Sequence, residues 1–195
     1  MTPPVITVDE TTRLRPWQSE DAAALYEAVM VDQEHVASRL AWADGTYTVD
    51  KSRDFIEHTR LEYEKGNHLG YVIEVDGRVG GGIGVPRSIP AEHEYEIGYW
   101  LSKPCTGRGV MTRSTEALTD FLFATWNAHR VQIAALACNT PSRAVAERLG
   151  FTLEGLFRAS RFNRGEWHDM AWYAITEDEW AARRDATDSS AAAGA

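Results

Sequence analysis

A chain of 195 residues with 44% hydrophobic residues and seven Trp has the length and apolar content of one folded domain, which sets aside a disordered chain. Its net charge of -9 repels phosphate backbones, so direct, sequence-independent nucleic-acid binding is not expected. No apolar run reaches the roughly 18 residues of a membrane span, no basic-then-apolar leader opens the chain, and Cys105 and Cys138 make neither a disulfide framework nor a zinc site. The expectation is a cytoplasmic protein with reduced thiols, no membrane partner and no metal, since the histidines show no ligand spacing either.

In chain order, residues 12–14 read as a short strand broken by Pro16, and Ser19 offers an N-cap to a helix that buries Leu25 and Val29, with Met30 beside them. Residues 31–47 have no clean period. Phe55, Ile56, Thr59, Leu61 and Tyr63 sit in a second helical pattern that Gly66 can close. Asp76-Gly77 between residues 71–75 and 78–85 is a hairpin signal, and the Gly80-Gly81-Gly82-Ile83-Gly84 run reads as a bulged or closely packed strand.

Residues 94–101 form a further strand, and Gly107-Arg108-Gly109 opens a helix with Met111, Leu118, Phe121 and Leu122 on its apolar face, fading near Asn127. A strand follows over 130–138. Thr140 with Pro141 starts a short helix that pairs Val145 with Leu149 and ends at Gly150. A closing hairpin over 151–161 and 166–175 turns at Asn163-Arg164-Gly165, and Thr176 with Glu179 makes a capping box for a last helix. One domain over 12–180 is expected, with 1–11 and 185–195 as flexible termini.

The strand, glycine turn and helix start across 101–112 have a use beyond geometry. Glycines let backbone approach a ligand, and unpaired N–H groups at a helix N-terminus face an anion such as a pyrophosphate. Read alone, the same turn serves equally as plain backbone geometry.

Glu96-Ile-Gly98-Tyr-Trp100-Leu, Gly107-Arg-Gly109-Val-Met-Thr112, Asn139-Thr-Pro-Ser142 and Glu147-Arg-Leu-Gly150-Phe151 together resemble the GNAT acyltransferases of the RimJ/RimL branch. The resemblance implies an α+β fold: a mostly antiparallel central sheet flanked by helices, whose middle strands, ending near Leu101 and Cys138, splay apart around acetyl-CoA. It implies that backbone at Trp100, Leu101 and Ser102 pairs with pantetheine amides. Gly107, Arg108, Gly109, Val110, Met111 and Thr112 would bind the pyrophosphate, with Asn139 and Ser142 near the thioester sulfur. The sequence departs from the superfamily pattern at Thr106, where Gln or Arg is usual, and at Met111, where the RimL-like branch accepts Met. It also has Ala146 where many members carry a Tyr that protonates the leaving thiolate.

Acyl transfer from a thioester needs a neutral amine, a stabilised oxyanion and help for the departing thiolate. Alternation puts Glu94, Glu96, Gly98 and Trp100 on one strand face, and RimL-like proteins are similar in carrying a Glu at the second of these, so Glu96 is the candidate base; its other reading is a structural carboxylate at a strand edge. Ser142, with Asn139, is the candidate to hydrogen-bond or protonate the sulfur, or else a helix cap beside Pro141. Cys138 reads as packing in a buried strand and Cys105 as the more exposed thiol. Trp42, Tyr47, Phe157, Phe162 and Trp167 line an acceptor pocket or serve as core or interface.

The function that follows from the resemblance is transfer of acetyl from acetyl-CoA to an amine acceptor, either a protein N-terminal α-amine or a small amine, by direct transfer in a homodimer. Three readings compete with it. They are a succinyl-CoA or other acyl-CoA transferase, for which Arg87 or Arg161 would supply the cation; a non-catalytic acyl-CoA sensor; and an unrelated α/β protein whose glycine turn is structural.

Overall fold

A computed structural model describes residues 2–38, 40, 42–43, 45–65 and 68–193. Among these, the elements run β1 (Ile6–Thr7), β2 (Thr12–Pro16), α1 (Ala22–Met30), α2 (Gln33–Ala37), α3 (Val49–Glu64), β3 (Leu69–Val75), β4 (Arg78–Ile89) and β5 (Glu94–Leu101). There follow α4 (Val110–Trp126), β6 (Arg130–Leu136), α5 (Thr140–Arg148), β7 (Thr152–Asn163), β8 (Glu166–Thr176) and α6 (Glu177–Ala193). The strands form one sheet in the order β1-β2-β3-β4-β5-β6-β8-β7, antiparallel throughout except for the parallel pair β5–β6. This is the mixed, mostly antiparallel α+β architecture expected.

Alternation divides the core between the two faces. Tyr71, Ile73, Ile83, Tyr95, Ile97, Val131 and Ile133 pack with Val110, Leu118 and Leu122 of α4 and with Val145 and Leu149 of α5. Val72 and Trp100 look the other way, into Trp17, Leu25 and Val29 of the first helical region and Ile56 of α3. The β3–β4 and β7–β8 hairpins each close on two residues of positive φ, Asp76 (51°) with Gly77 (75°) and Arg164 (53°) with Gly165 (84°), the backbone that matches the right-handed twist of the strands they join. In β4, a Cβ on Gly84 would lie 2.1 Å from the Leu69 carbonyl oxygen, so the glycine run is there to let β3 and β5 pack against it.

Several local expectations are corrected. The first helical turn is capped at Gln18, whose N–H donates to Asp21 Oδ2 at 2.8 Å, and not at Ser19. Met30 is exposed at the end of α1, which buries Ala22, Leu25, Ala28 and Val29 instead. β4 runs on through Pro86 to Ile89, the missing N–H falling where the register with β5 slips. Asn139 caps α5, its Oδ1 accepting from Ser142 N at 3.4 Å, in place of Thr140. β6 stops at Leu136, so Cys138 lies exposed in a turn while Cys105 is half-buried, the reverse of the expected order. Beside these corrections, residues 6–7 pair with β2 and α6 runs to Ala193. Gly66, the expected end of α3, lies outside the described residues.

Candidate active site

The β5–β6 ladder covers only Glu94–Ile97 against Arg130–Ile133. Past that point β5 stays on β4, with Gly98 opposite Gly84 and Leu101 opposite Gly81, while β6 stays on β8, with Leu136 opposite Met170. The two strands therefore part in the middle of the sheet, as expected. Over Gly98, Tyr99, Trp100 and Leu101 the backbone groups directed at β6 lose their ladder partners, which suits an extended amide-bearing ligand laid in the gap.

The gap opens into a cleft of about 970 Å³ that reaches both faces of the sheet. Its wall includes Glu96, Trp100, Leu101, Gly107, Gly109, Val110, Met111, Thr112, Asn139 and Ser142. Ten of the twelve residues expected to act in catalysis or to bind acetyl-CoA thus line one cavity. The other two do not form its wall: Ser102 is buried, and Arg108 donates to Asp76 Oδ2 at 3.2 Å.

At one end of the cleft, Ser102 turns the chain out of β5, and a 3-10 turn over Lys103–Cys105 leads to the glycines. Gly109 is the N-cap of α4 at φ 73°, a conformation that costs other residues strain, and its missing Cβ leaves room for the Arg113 guanidinium, 2.6 Å from where that atom would lie. The N–H groups of Val110, Met111 and Thr112, lacking acceptors within the helix, face the cavity with the positive end of the dipole. Arg113, held by Asp9 at 2.8 Å and donating to the Arg108 carbonyl at 3.1 Å, braces the turn. These groups fit a pyrophosphate.

Glu96 and Glu94 share a strand face but differ in environment. Glu94 is engaged by Arg130 at 3.3 Å and by Gln132 at 3.1 Å, beside a separate depression of about 500 Å³. Glu96 enters the main cleft with its side chain 15% exposed and Arg87 3.7 Å away. Burial pushes the Glu96 carboxyl above its ordinary value, and the cations Arg87 and Arg161 offset only part of that. A carboxyl so raised is closer to the range of a working base at neutral pH.

Across the gap, Ser142 sits in the first turn of α5 and its Oγ donates to Tyr99 Oη at 3.1 Å; Tyr99 Oη also lies 3.1 Å from the Ser142 carbonyl oxygen. Capping of α5 is thus Asn139's work, and the Ser142 hydroxyl is spent elsewhere. Ala146 is completely buried and offers no hydroxyl.

The sheet face under α1–α3 supplies the other half of the cavity, from His35, Val36, Leu40 and Trp42, met by Arg161, Asn163 and Met170 of the last hairpin. Of the aromatic residues nominated for this region only Trp42 is in the wall. Tyr47 lies behind it with ring centroids 5.4 Å apart, Phe157 borders the smaller depression, and Phe162 and Trp167 face outward from the hairpin. Tyr99 was not among the nominated site residues, because alternation assigns it to the core beside Ile97, and it becomes part of the wall only where the ladder opens. Among the described residues no group of three His, Cys, Asp or Glu side chains gathers as a metal site.

Compared with known proteins, residues 12–152 match the acetyltransferase (GNAT) domain. YdaF of Bacillus subtilis (strain 168), which carries the provisional name of a ribosomal N-acetyltransferase, is 30% identical over 89% of this chain and 95% of its own. The ribosomal-protein-serine acetyltransferase of Escherichia coli (strain K12) is 24% identical over 87% of this chain and 94% of its own. Among solved structures, the ribosomal L7/L12 α-N-protein acetyltransferase RimL in complex with coenzyme A superimposes with a TM-score of 0.85 at 26% identity, covering 89% of this chain and 98% of that one. RimJ of Mycobacterium smegmatis in complex with a CoA disulfide gives a TM-score of 0.82 at 28% identity, with 91% and 89% covered.

Proposed function

This chain belongs to the GNAT acetyltransferase family and is an N-acetyltransferase; we propose that, as one catalytic domain over 12–180, it moves acetyl from acetyl-CoA directly to a primary amine, with a protein N-terminal α-amine as the acceptor. The single observation that carries the reading is the parting of β5 from β6 into a cleft that ends on the N-terminus of α4. In this reading the first-turn N–H groups of α4 bind the pyrophosphate, with Arg108 joining them once it leaves Asp76, and the backbone of Trp100, Leu101 and Ser102 pairs with the pantetheine amides. Glu96 takes a proton from the incoming amine, directly or through a water. Asn139 and Ser142 attend the sulfur. A protein acceptor is supported by the relatives named for ribosomal proteins, which also supports a cytoplasmic location.

A homodimer is part of the proposal. Its support is the row of apolar side chains left exposed on the last hairpin, Leu156, Phe157, Phe162 and Trp167, at the edge of the sheet. Light scattering on the purified protein reads a twofold mass if this is correct and a monomer mass if it is not. Arg161 in the cleft wall favours a second reading, a dicarboxylate donor such as succinyl-CoA.

Calorimetry with acetyl-CoA and succinyl-CoA tests the donor, alongside Thr112→Glu. Glu at the third position of a helix suits the dipole, so this variant keeps α4 while placing an anion where the pyrophosphate binds. Acetyl-CoA binding by wild type and not by the folded variant supports the cradle. Tighter binding of succinyl-CoA moves the assignment to that donor, and binding of neither removes the transferase reading.

A further inference from the structure

The position that carries a phenolic proton donor in many relatives is filled here by Ala146, yet a phenol does reach the cleft, from the opposite wall. We propose that Tyr99 is the positioning residue of the leaving-thiolate site: its hydroxyl, shared between the carbonyl oxygen and Oγ of Ser142, frees the Ser142 O–H to turn toward the sulfur and backs it with a second hydrogen bond. The inference rests on the reading that the cleft binds the thioester of acetyl-CoA.

Three observations carry it. First, the Ser142 hydroxyl donates to Tyr99 Oη and Tyr99 donates to the Ser142 carbonyl, both at 3.1 Å, so turning each hydroxyl about its own C–O bond makes Tyr99 the donor to Oγ and releases the Ser142 O–H without moving a heavy atom. Second, the Tyr99 side chain bridges from β5 to α5 across the gap, so both hydroxyls are held where the strands part and both residues belong to the wall. Third, Ser142 is released from capping because Asn139 Oδ1 takes the N-terminal N–H of α5.

The phenol's acidity decides between a hydrogen bond and outright proton donation. Burial pushes Tyr99 up to about 12, with Ser142 opposing, so it keeps its proton at neutral pH. Handing that proton to an alkyl thiolate would be uphill, since thiols are more acidic than a phenol so raised, the cysteine thiol lying at about 8.5. Tyr99 therefore donates a hydrogen bond through Ser142 and remains neutral, and the chain Tyr99–Ser142–sulfur stabilises the thiolate as it departs. Of the cations on α5, Arg148 borders the cleft and Arg143 is held by Tyr173 at 2.8 Å; both stay in place in every variant below.

The test titrates the thiol of coenzyme A bound to the full chain, reading thiolate ultraviolet absorbance against pH, for wild type, Tyr99→Phe, Ser142→Ala and the double variant. In wild type the bound thiol ionises at lower pH than free coenzyme A, because hydroxyl donors favour the thiolate. Tyr99→Phe moves the midpoint back up toward the free value, leaves coenzyme A affinity within about twofold, and lowers kcat about tenfold with little change in KM for acetyl-CoA. Ser142→Ala does the same, and the double variant is no worse than the lower single one, since the two hydroxyls act as one chain. A wild-type midpoint in folded Tyr99→Phe, or independent multiplying effects, overturns the proposal while leaving the donor site intact. If Tyr99→Phe does not fold, an unshifted midpoint in Ser142→Ala overturns it equally. Failure of wild type to bind coenzyme A overturns both the donor reading and this one.

Discussion

Glu96 and Tyr99 stand three residues apart on β5, point to opposite faces of the sheet, and border the same cleft. An intact sheet would keep them separated by the backbone of the next strand. Here the β5–β6 ladder ends after Ile97 pairs with Ile133, so a ligand passing through the gap meets a carboxylate on one side and a hydroxyl on the other. In the proposed reading, deprotonation of an amine and support of a thiolate fall on different faces, with the reacting carbon between them.

Glu96→Gln keeps the shape of the side chain and removes its basicity. A base whose carboxyl is raised by burial is lost as pH falls through that raised value, so wild-type kcat/KM declines on the acid side. The variant loses about 10²- to 10⁴-fold in rate and the acid limb disappears. Arg87→Ala removes a cation 3.7 Å from the carboxylate and shifts the limb to higher pH. Rates measured from pH 5 to 9 on the three proteins check both statements; a Gln variant with the wild-type profile excludes Glu96 as the base.

Asn139→Ala and Ser142→Ala separate capping from chemistry. Asn139 accepts from the Ser142 N–H, so its loss costs about 1 kcal/mol of stability, as for other N-caps. Ser142→Ala leaves that cap in place and reduces turnover with little change in melting temperature. Thermal unfolding of both variants, paired with turnover, decides the matter. Reversal of the pattern would return Ser142 to a structural role.

Most of this arrangement was legible in the sequence where one residue type answers one physical demand. Asp76-Gly77 fixed a hairpin because few pairs accept two successive positive φ values, and Gly107-x-Gly109 before an apolar helical stripe marked the start of α4. Residues 31–47 have no readable period, since α2 is one short turn of helix and Leu40, Ala43 and Tyr47 are placed by packing with Trp17 and Val72. Tyr99 escaped for a related reason. Period-two alternation says which face a residue takes, and carries no information about where the neighbouring strand departs. Met30 departs from its expected stripe because apolar character in a helix does not say which of two adjacent stripes meets the sheet.

Trp42 stands edge-on to Trp100 at 6.0 Å in the cleft wall, on the side proposed for the acceptor. Trp42→Ala removes that surface without reaching the helix end or the gap backbone. Once an acceptor peptide is in hand, the variant should raise its KM about tenfold, equivalent to about 1.4 kcal/mol, and leave acetyl-CoA affinity unchanged. Steady-state kinetics in both substrates reads the split. Equal loss for both substrates would mean that Trp42 supports the whole cleft and not the acceptor alone.

Arg15 is clamped between two carboxylates, 2.7 and 2.8 Å from the Asp21 oxygens and 2.5 Å from Glu74, with all three side chains at most 15% exposed. Arg15→Ala leaves Asp21 without this partner and Glu74 with Arg13 alone, and should cost about 3–5 kcal/mol at neutral pH, the range for breaking a buried pair. Burial by itself would raise the Glu74 carboxyl, but Arg15 and then Arg13 hold it below its ordinary 4.5. A depressed folded value means that the stabilisation is complete above the unfolded value and is lost as pH falls through the folded one. Urea unfolding of wild type and variant at pH 7 and again near pH 3 should therefore show a gap that narrows in acid, because protonation of Glu74 removes from wild type what the substitution has already removed. A gap of constant size would mean that Arg15 contributes through the packing of its aliphatic stem and not through its charge.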